Sequence, residues 1–190
     1  METKLKQEKD FTQLIADCIS EKREAQHKLF KTFYSKMFHV CYRYASSYEE
    51  AQDMLNEGFL KIFSNLDKYK NEGSFEAWMK RVMANAALDF QRKYKSNIDT
   101  IEYDAVESSA MIQFDENSAI SKISSDELML LIQKLPFMSR SVFNLYVFED
   151  YSHAEIAEIL QTKEGTSHWH LNFARTKLKQ LILQQINPQK

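Results

Sequence analysis

The sequence predicts an all-α protein of two small helical domains joined by a flexible acidic linker, and three observations carry that prediction. Glycine and proline are scarce, at 3 and 2 of 190 residues, against average usage of about 7% and 5%. Strand reversals and α/β loops draw on both residues for their backbone angles, so a many-stranded fold is disfavoured. Apolar residues recur at helical spacing on both sides of a central segment. That segment interrupts the period and concentrates acid. Residues 1–97 carry 17 basic and 14 acidic side chains, residues 98–121 none and six, and residues 122–190 eight and seven. The balances of +3, −6 and +1 lie hidden inside a formal net charge of −2.

In the N-terminal block, Phe11, Leu14, Ile15 and Cys18 mark a short first helix, and Leu29, Phe30, Phe33, Tyr34, Met37, Cys41 and Tyr44 a longer second one. From Ala51 the residues Met54, Leu55, Phe59, Ile62, Phe63 and Leu66 extend one continuous apolar stripe. Asp53, Asn56, Glu57, Leu60 and Lys61 fall on the opposite face. Gly58 sits inside this helix at a cost of about 1 kcal/mol relative to Ala, which implies close packing against it. After Gly73, Ser74 is a candidate N-cap. The helix it opens places Phe75, Trp78, Met79, Val82, Met83, Ala86 and Phe90 inward and Lys80, Arg81, Asn85, Asp89 and Arg92 outward. Between positions 80 and 95, Lys80, Arg81, Arg92, Lys93 and Lys95 face one acid, Asp89.

The segment 98–121 is rich in Ser and Asn and has no sustained period, so it reads as a linker. Its apolar members, Ile101, Tyr103, Met111, Ile112 and Phe114, leave docking on a partner open beside the plain spacer reading. In the C-terminal block, Ser152 and Glu155 form an S-x-x-E capping box, and Tyr151 and Ile156 stand at the positions of a hydrophobic staple. A short helix runs to Leu160, a break follows at Gln161, Thr162 and Lys163, and a long amphipathic helix extends from about Glu164 to Ile186. Ser167, Leu171, Ala174, Leu178 and Leu181 line its inward side. Short helix, tight turn and long helix with a basic tail match the helix-turn-helix plan, whose second helix enters the major groove.

Several chemistries are disfavoured. Gly58, Gly73 and Gly165 are too far apart for a phosphate loop or dinucleotide fingerprint. Cys18 and Cys41 lack metal-ligand spacing and are expected to be buried free thiols. His168 and His170, two positions apart, do not share a helix face, so no metal site is expected there. No cofactor is implied. The N-terminus METKLKQEKDF lacks the apolar core of a signal peptide, and no stretch has the length of a membrane span. A reducing cytoplasm is the expected compartment.

The run AQDMLNEGFLKIFSNLDKYKNEGSFEAWMKRVMANAALDFQRK, followed downstream by LPFMSRSVFNLYVFEDYSHAEIAEILQTKEGT, closely resembles the extracytoplasmic-function group of bacterial RNA polymerase sigma factors. The two blocks occur in family order around a variable linker and span roughly residues 10–185. The resemblance implies a non-enzymatic subunit that binds core RNA polymerase, directs it to promoter DNA and opens the duplex. Residues 1–97 would form the domain that binds polymerase and the minus-ten element, and residues 122–190 the helix-turn-helix domain for the minus-thirty-five element. Such factors are often paired with an anti-sigma factor that covers both faces.

Residue by residue, the resemblance implies that Asp53, Asn56, Glu57, Leu60 and Lys61 contact the clamp helices of the polymerase large subunit. It implies minus-ten contacts by Tyr69, Lys80, Arg81, Asn85, Asp89, Arg92 and Lys93: cations for phosphates, polar side chains for base edges and an aromatic for stacking. The helical period puts Phe75 and Trp78 on the buried stripe, so the cations are favoured over the aromatics. For the minus-thirty-five element it implies Thr166, His168, Trp169, His170, Asn172, Phe173 and Arg175. Here the chain departs from the family's usual S-E-G-T-V-K-S-R-L-S-R-A-R: Lys163 replaces the capping Ser, and Ser167, His168, His170 and Phe173 replace Val, Lys, Arg and Arg. Asn56 likewise stands where Gln is common, and Gly58 where an aliphatic residue is. Every phosphate-binding cation that is missing weakens binding and flattens its salt dependence. Trp169 and Phe173, one turn apart outside the core stripe, are open to three roles: contact with thymine methyl groups, stacking on a neighbouring protein such as an anti-sigma factor, or packing under the linker.

Two readings of other classes stand beside this one. A stand-alone helix-turn-helix regulator would bind duplex without polymerase and form an even-numbered assembly. An all-helical hydrolase would need a catalytic cluster, and the carboxylate face of Glu49, Glu50, Asp53 and Glu57 has no accompanying His.

Overall fold

A computed structural model describes residues 2–70, 73–94 and 124–186, with the backbone alone for residues 2–10. The linker expected at 98–121 lies outside these residues. The described residues form eight α-helices and one 3-10 turn, and no strand occurs among them. The chain divides into two units, Met1–Gln91 and Arg92–Lys190.

The first unit contains α1 (Glu2–Ile19), α2 (Arg23–Tyr44), α3 (Tyr48–Ser64), the 3-10 turn Leu66–Lys68, and α4 (Phe75–Tyr94), whose last turn crosses the division. Helix α1 is longer than the apolar period predicts. Its first ten residues are mostly Glu, Lys and Gln, which favour helix without leaving an apolar stripe to read. The start of α3 is fixed by Ser47, whose Oγ accepts from the Glu50 backbone N–H at 3.1 Å. Glu50 reaches back to accept from the Ser46 N–H at 2.7 Å. Two of the otherwise orphaned N-terminal donors around the helix start are thereby satisfied.

The core of this unit is built from Leu29, Met37, Cys41, Met54, Leu55, Ile62, Met79, Met83 and Leu88, all essentially inaccessible. Burying each such side chain contributes about 1.5–3 kcal/mol. At one end Phe11, Phe33 and Phe75 meet edge to face, with ring centroids 5.2–6.1 Å apart. Tyr69 and Trp78 extend this cluster outward. Both cysteines are buried free thiols, and burial pushes the Cys41 thiol far above the ordinary range.

Helix α4 is buried over a wider arc than the predicted stripe. Ala84, Ala87, Leu88 and Gln91 join Phe75, Met79, Met83 and Ala86 inside, while Trp78, Val82 and Phe90 are only half-buried. Alanines carry little weight in a hydrophobic pattern, yet they allow close helix approach. Gln91 is the polar member: its Nε2 donates to the Tyr44 carbonyl at 3.2 Å and to Glu50 Oε1 at 2.6 Å, fastening α4 to the α2–α3 joint.

In the second unit, α5 (Ser125–Gln133), α6 (Phe137–Val147), α7 (His153–Leu160) and α8 (Glu164–Ile186) follow one another. Ser124 with Glu127 and Ser152 with Glu155 make complete capping boxes on α5 and α7. Between α7 and α8, Gln161 adopts the left-handed conformation, φ 52° and ψ 47°, and its N–H returns to Ala157 and Glu158. One residue held there turns the chain sharply enough for α8 to pack back. Leu131, Ile132, Leu135, Ala174 and Leu178 form a core onto which Leu128, Phe143, Phe148, Leu181 and Ile182 pack.

A Cβ placed on Gly58 would lie 2.1 Å from Met83 Sδ and 2.9 Å from its methyl carbon. Gly58→Ala therefore gains up to about 1 kcal/mol of helix propensity but forces a repacking that costs about 1–3 kcal/mol. We expect a net loss of stability in urea unfolding. With Met83→Ala already present, the same Gly58→Ala substitution is expected to stabilise, and an unchanged sign would contradict the contact.

Candidate functional site

The outward side of α3 collects all five residues expected to meet polymerase. Asp53, Asn56 and Leu60 are exposed and Glu57 and Lys61 partly so. Leu60, at 69% exposure, is the most exposed of the large apolar side chains among the described residues. The inward stripe of Ala51, Met54, Leu55, Gly58, Phe59 and Ile62 accounts for this, because it turns the opposite side of the helix toward solvent. A single apolar side chain amid carboxylates and an amide costs little in water and offers a partner one desolvated anchor.

Helix α4 presents Lys80, Arg81, Asn85, Asp89, Arg92 and Lys93 outside its buried arc. Glu76 sits among the cations, within 3.0 Å of Lys80 Nζ and 2.5 Å of Lys36 Nζ. The hydrogen bond from Lys36, then that from Lys80, holds its carboxyl below the usual range. Lys80 is thus partly engaged, and Lys93 lies with Nζ 4.7 Å over the Tyr94 ring. The Tyr69 hydroxyl donates to the Gly73 carbonyl at 2.9 Å, and its ring lies 5.6 Å from Trp78. Phe75 is buried and Trp78 half-buried. Lys61 Nζ meets Asp89 Oδ2 at 2.7 Å, so the α3 face and the α4 face touch through one charged pair.

On α8 the expected residues divide among three sides. His168 and Arg175, seven positions apart, share the edge beside α6 and α7, and both are exposed. Asn172 is exposed, while Trp169 and Phe173 are half-buried and stacked on each other at 5.3 Å. Thr166 is half-buried. His170 turns the other way: its Nδ1 lies 2.9 Å from Ser139 Oγ at the start of α6, and burial lowers its pKa. A side chain so engaged secures α8 to α6.

Two residues with a bearing on these faces have no signal in the sequence pattern. Gln91 sits on what the period assigns to the solvent side of α4, yet it is 1% exposed. His153, the first residue of α7, is buried, with Nδ1 2.8 Å from Ser167 Oγ and its ring stacked on His168 at 3.7 Å. The substitution of Ser167 for the usual Val was its one trace. Among the described residues no group of three or more His, Cys, Asp or Glu is placed to hold a metal, and no helix is long and apolar enough to cross a membrane.

Comparison with known proteins places both units. The family model for Sigma-70 region 2 matches residues 29–97, and that for Sigma-70 region 4 matches residues 125–178. The ECF RNA polymerase sigma factor SigW of Bacillus subtilis is 26% identical over 155 residues, covering 77% of this chain and 83% of that protein. The ECF RNA polymerase sigma-E factor of Escherichia coli K12 is 26% identical over 160 residues, covering 76% and 79%. Among solved structures, the sigma factor RpoE of Bartonella quintana, crystallised with the anti-sigma factor NepR, shares the fold at a TM-score of 0.52 and 17% identity, with 82% and 95% coverage.

The two histidines that hold α8 in place give the second unit a pH-dependent stability. Burial is the main cause of the lowered pKa of both His153 and His170; the cationic forms of His168 and Arg175 add to it at His153, and Glu164 opposes it. A depressed folded pKa means that the unfolded chain binds more protons, so stability is full above the unfolded value of about 6.5 and is lost as pH falls through the folded value. Hydrogen exchange of α7 and α8 amides is expected to show weaker protection at pH 5.5 than at pH 7.5, after correction for intrinsic rates. His153→Phe should reduce the difference.

Proposed function

The chain belongs to the extracytoplasmic-function group of RNA polymerase sigma factors, and we propose that it binds core RNA polymerase through α3, holds the opened minus-ten element against α4 and reads the minus-thirty-five element with α8. It supplies specificity and strand capture and performs no bond chemistry itself, acting in the compartment where the polymerase works. The observation that carries the reading is the α3 face: five expected contacts on one outward side, centred on the exposed Leu60.

Each face suits its task. Asp53, Asn56, Glu57, Leu60 and Lys61 combine one apolar anchor with a polar surround, the composition of a reversible protein interface. Lys80, Arg81, Arg92 and Lys93 supply phosphate contacts that position a strand without reading it. Asn85 and Asp89, one turn apart, offer amide and carboxylate groups to base edges, and Tyr69 offers the rim of the aromatic cluster for stacking. On α8, Thr166, His168, Trp169, Asn172, Phe173 and Arg175 form the proposed minus-thirty-five surface, with His170 anchoring it from behind. An anti-sigma factor that covers α3 and α8 completes the proposed partners.

The reading is tested with core polymerase and the full chain. We expect co-elution with core and transcription from genomic fragments, and sequencing of the transcripts' 5′ ends should recover a minus-ten and a minus-thirty-five element together. No co-elution and no transcription, with duplex binding by the chain alone as an even-numbered assembly, would instead establish a stand-alone regulator. Leu60→Asp is expected to weaken core binding by about tenfold or more while leaving helicity unchanged. Replacing Arg81 and Lys93 together by Ala should weaken holoenzyme binding similarly on all promoter sequences, and lower the salt slope by about 1 for each phosphate no longer neutralised.

A further inference from the structure

Three helices of the second unit meet in a stack of rings that no assigned DNA contact explains. Tyr146 from the end of α6 lies on His153 of α7, with centroids 4.6 Å apart and planes at 26°. His153 lies on His168 of α8 at 3.7 Å and 29°. At the far side, the Arg175 guanidinium stands 5.8 Å from the Tyr146 ring centre, within the range of a cation–π contact. The order is therefore Arg175, Tyr146, His153, His168. Its two ends are exposed residues of one α8 edge, two turns apart, and its middle members belong to the helices behind them.

The middle of the stack is held firmly. His153 is buried, and its Nδ1 shares a hydrogen bond with Ser167 Oγ at 2.8 Å. Ser167 is itself fully buried and stands immediately before His168. Its hydroxyl thus fixes the plane of His153, and that plane is the surface on which His168 rests. An unsupported imidazole on an exposed helix would sample several rotamers. One stacked on a fixed ring samples few, so less freedom is lost when it meets a ligand. Glu164 Oε1 lies 3.8 Å from His168 Nε2, one turn earlier on the same helix.

We propose that His153 is a positioning residue for promoter readout: its ring, fixed by Ser167, is the platform that sets His168 directly and Arg175 through Tyr146 at a defined spacing along the DNA-facing edge of α8. The inference rests on the reading of α8 as the minus-thirty-five helix. His153 touches no base and acts only through the two side chains it supports. Losing the platform should cost sequence discrimination more than general affinity, since a mobile cation still finds phosphates but no longer meets one base edge.

The test uses holoenzyme assembled from core polymerase and the full chain. Its duplexes carry the minus-thirty-five element recovered by 5′-end mapping, or that element scrambled. The readout is the ratio of the two dissociation constants, because an inactive fraction of protein lowers apparent binding to both duplexes alike. A second readout is the His168 Cε1 proton in NMR spectra of the full chain, which the ring current of a stacked neighbour displaces. We expect His153→Ala to reduce the ratio by about tenfold, the discrimination of one or two base contacts, and to move the His168 resonance toward its exposed position. His153→Phe, which keeps the stacking surface but loses the bond to Ser167, should restore part of both. An unchanged ratio in His153→Ala overturns the proposal. If His153→Ala fails to fold, His153→Phe decides: a stacked His168 signal with discrimination retained supports the platform, and the same signal with discrimination abolished overturns it. If wild-type holoenzyme does not distinguish the two duplexes, the minus-thirty-five reading of α8 fails and the proposal falls with it.

Discussion

The absence of one Cβ makes room for a contact between the two helices on which the first unit's proposed function depends. At Gly58 of α3, the Met83 sulfur of α4 occupies the place where a side chain would begin. Any residue with a side chain at 58 either separates the helices or displaces a fully buried Met. Met tolerates displacement better than a branched residue, which is why this packing couples the helices without making them brittle. Gln91 fixes the other end by reaching the Tyr44 carbonyl and Glu50, the residue whose second oxygen accepts from the Ser46 N–H before α3. The start of α3 and the end of α4 are therefore positioned by shared groups. The proposed protein-binding face and strand-binding face thus lie on helices joined by the Gly58–Met83 contact, the Lys61–Asp89 pair and Gln91.

The second unit is organised on a different constraint. The helix proposed to face DNA follows a turn in which Gln161 carries a left-handed backbone without being glycine, at a cost of about 1–2 kcal/mol. The surrounding packing compensates: Leu160 before it and Leu171 after it are buried, and the two Ser–His pairs, Ser167 with His153 and Ser139 with His170, tie α8 to α7 and α6. Polar bonds inside so small a core do more than hold it together. Apolar contacts alone tolerate a small rotation of a helix about its axis, whereas a hydrogen bond fixes which residue faces which neighbour. For a helix proposed to present particular side chains to a groove, that rotation is the quantity to control.

Much of this was legible in the sequence, for physical reasons. The Ser152–Glu155 box, the break after Leu160 and the inward stripe of α8 stand where the spacing places them, because caps and apolar periods are local signals. The outward face of α3 follows equally directly from its stripe. What the pattern missed is polar and buried. Gln91 and His153 look like solvent residues until their partners, far away in sequence, are known. Alanine was the second blind spot: Ala84 and Ala87 bury against neighbours as completely as Met83 but weigh little in an apolar count. His170 was grouped with its neighbours by position along the helix, and only the fold reveals that Ser139 holds it on another side.

The net charge of −2 conceals how the cations are partnered. Lys80 meets Glu76 and Lys61 meets Asp89, so several charges assigned to ligands are already paired in the free chain. The Lys61 and Asp89 side chains are exposed and those of Lys80 and Glu76 partly so, and such pairs contribute about 0–1 kcal/mol. Breaking one to reach a phosphate or a partner carboxylate therefore costs little, and the pair's value lies in the free protein. An unbalanced cationic helix would bind any polyanion, whereas one with weak internal counter-ions requires a ligand that repays several small separations at once. Lys61 and Asp89 extend this across the two faces. Each belongs to a different proposed interface, and a partner that engages one draws on the pair they share. Occupation of α3 and the local field at α4 are consequently linked by an interaction that is small, direct and screened by salt.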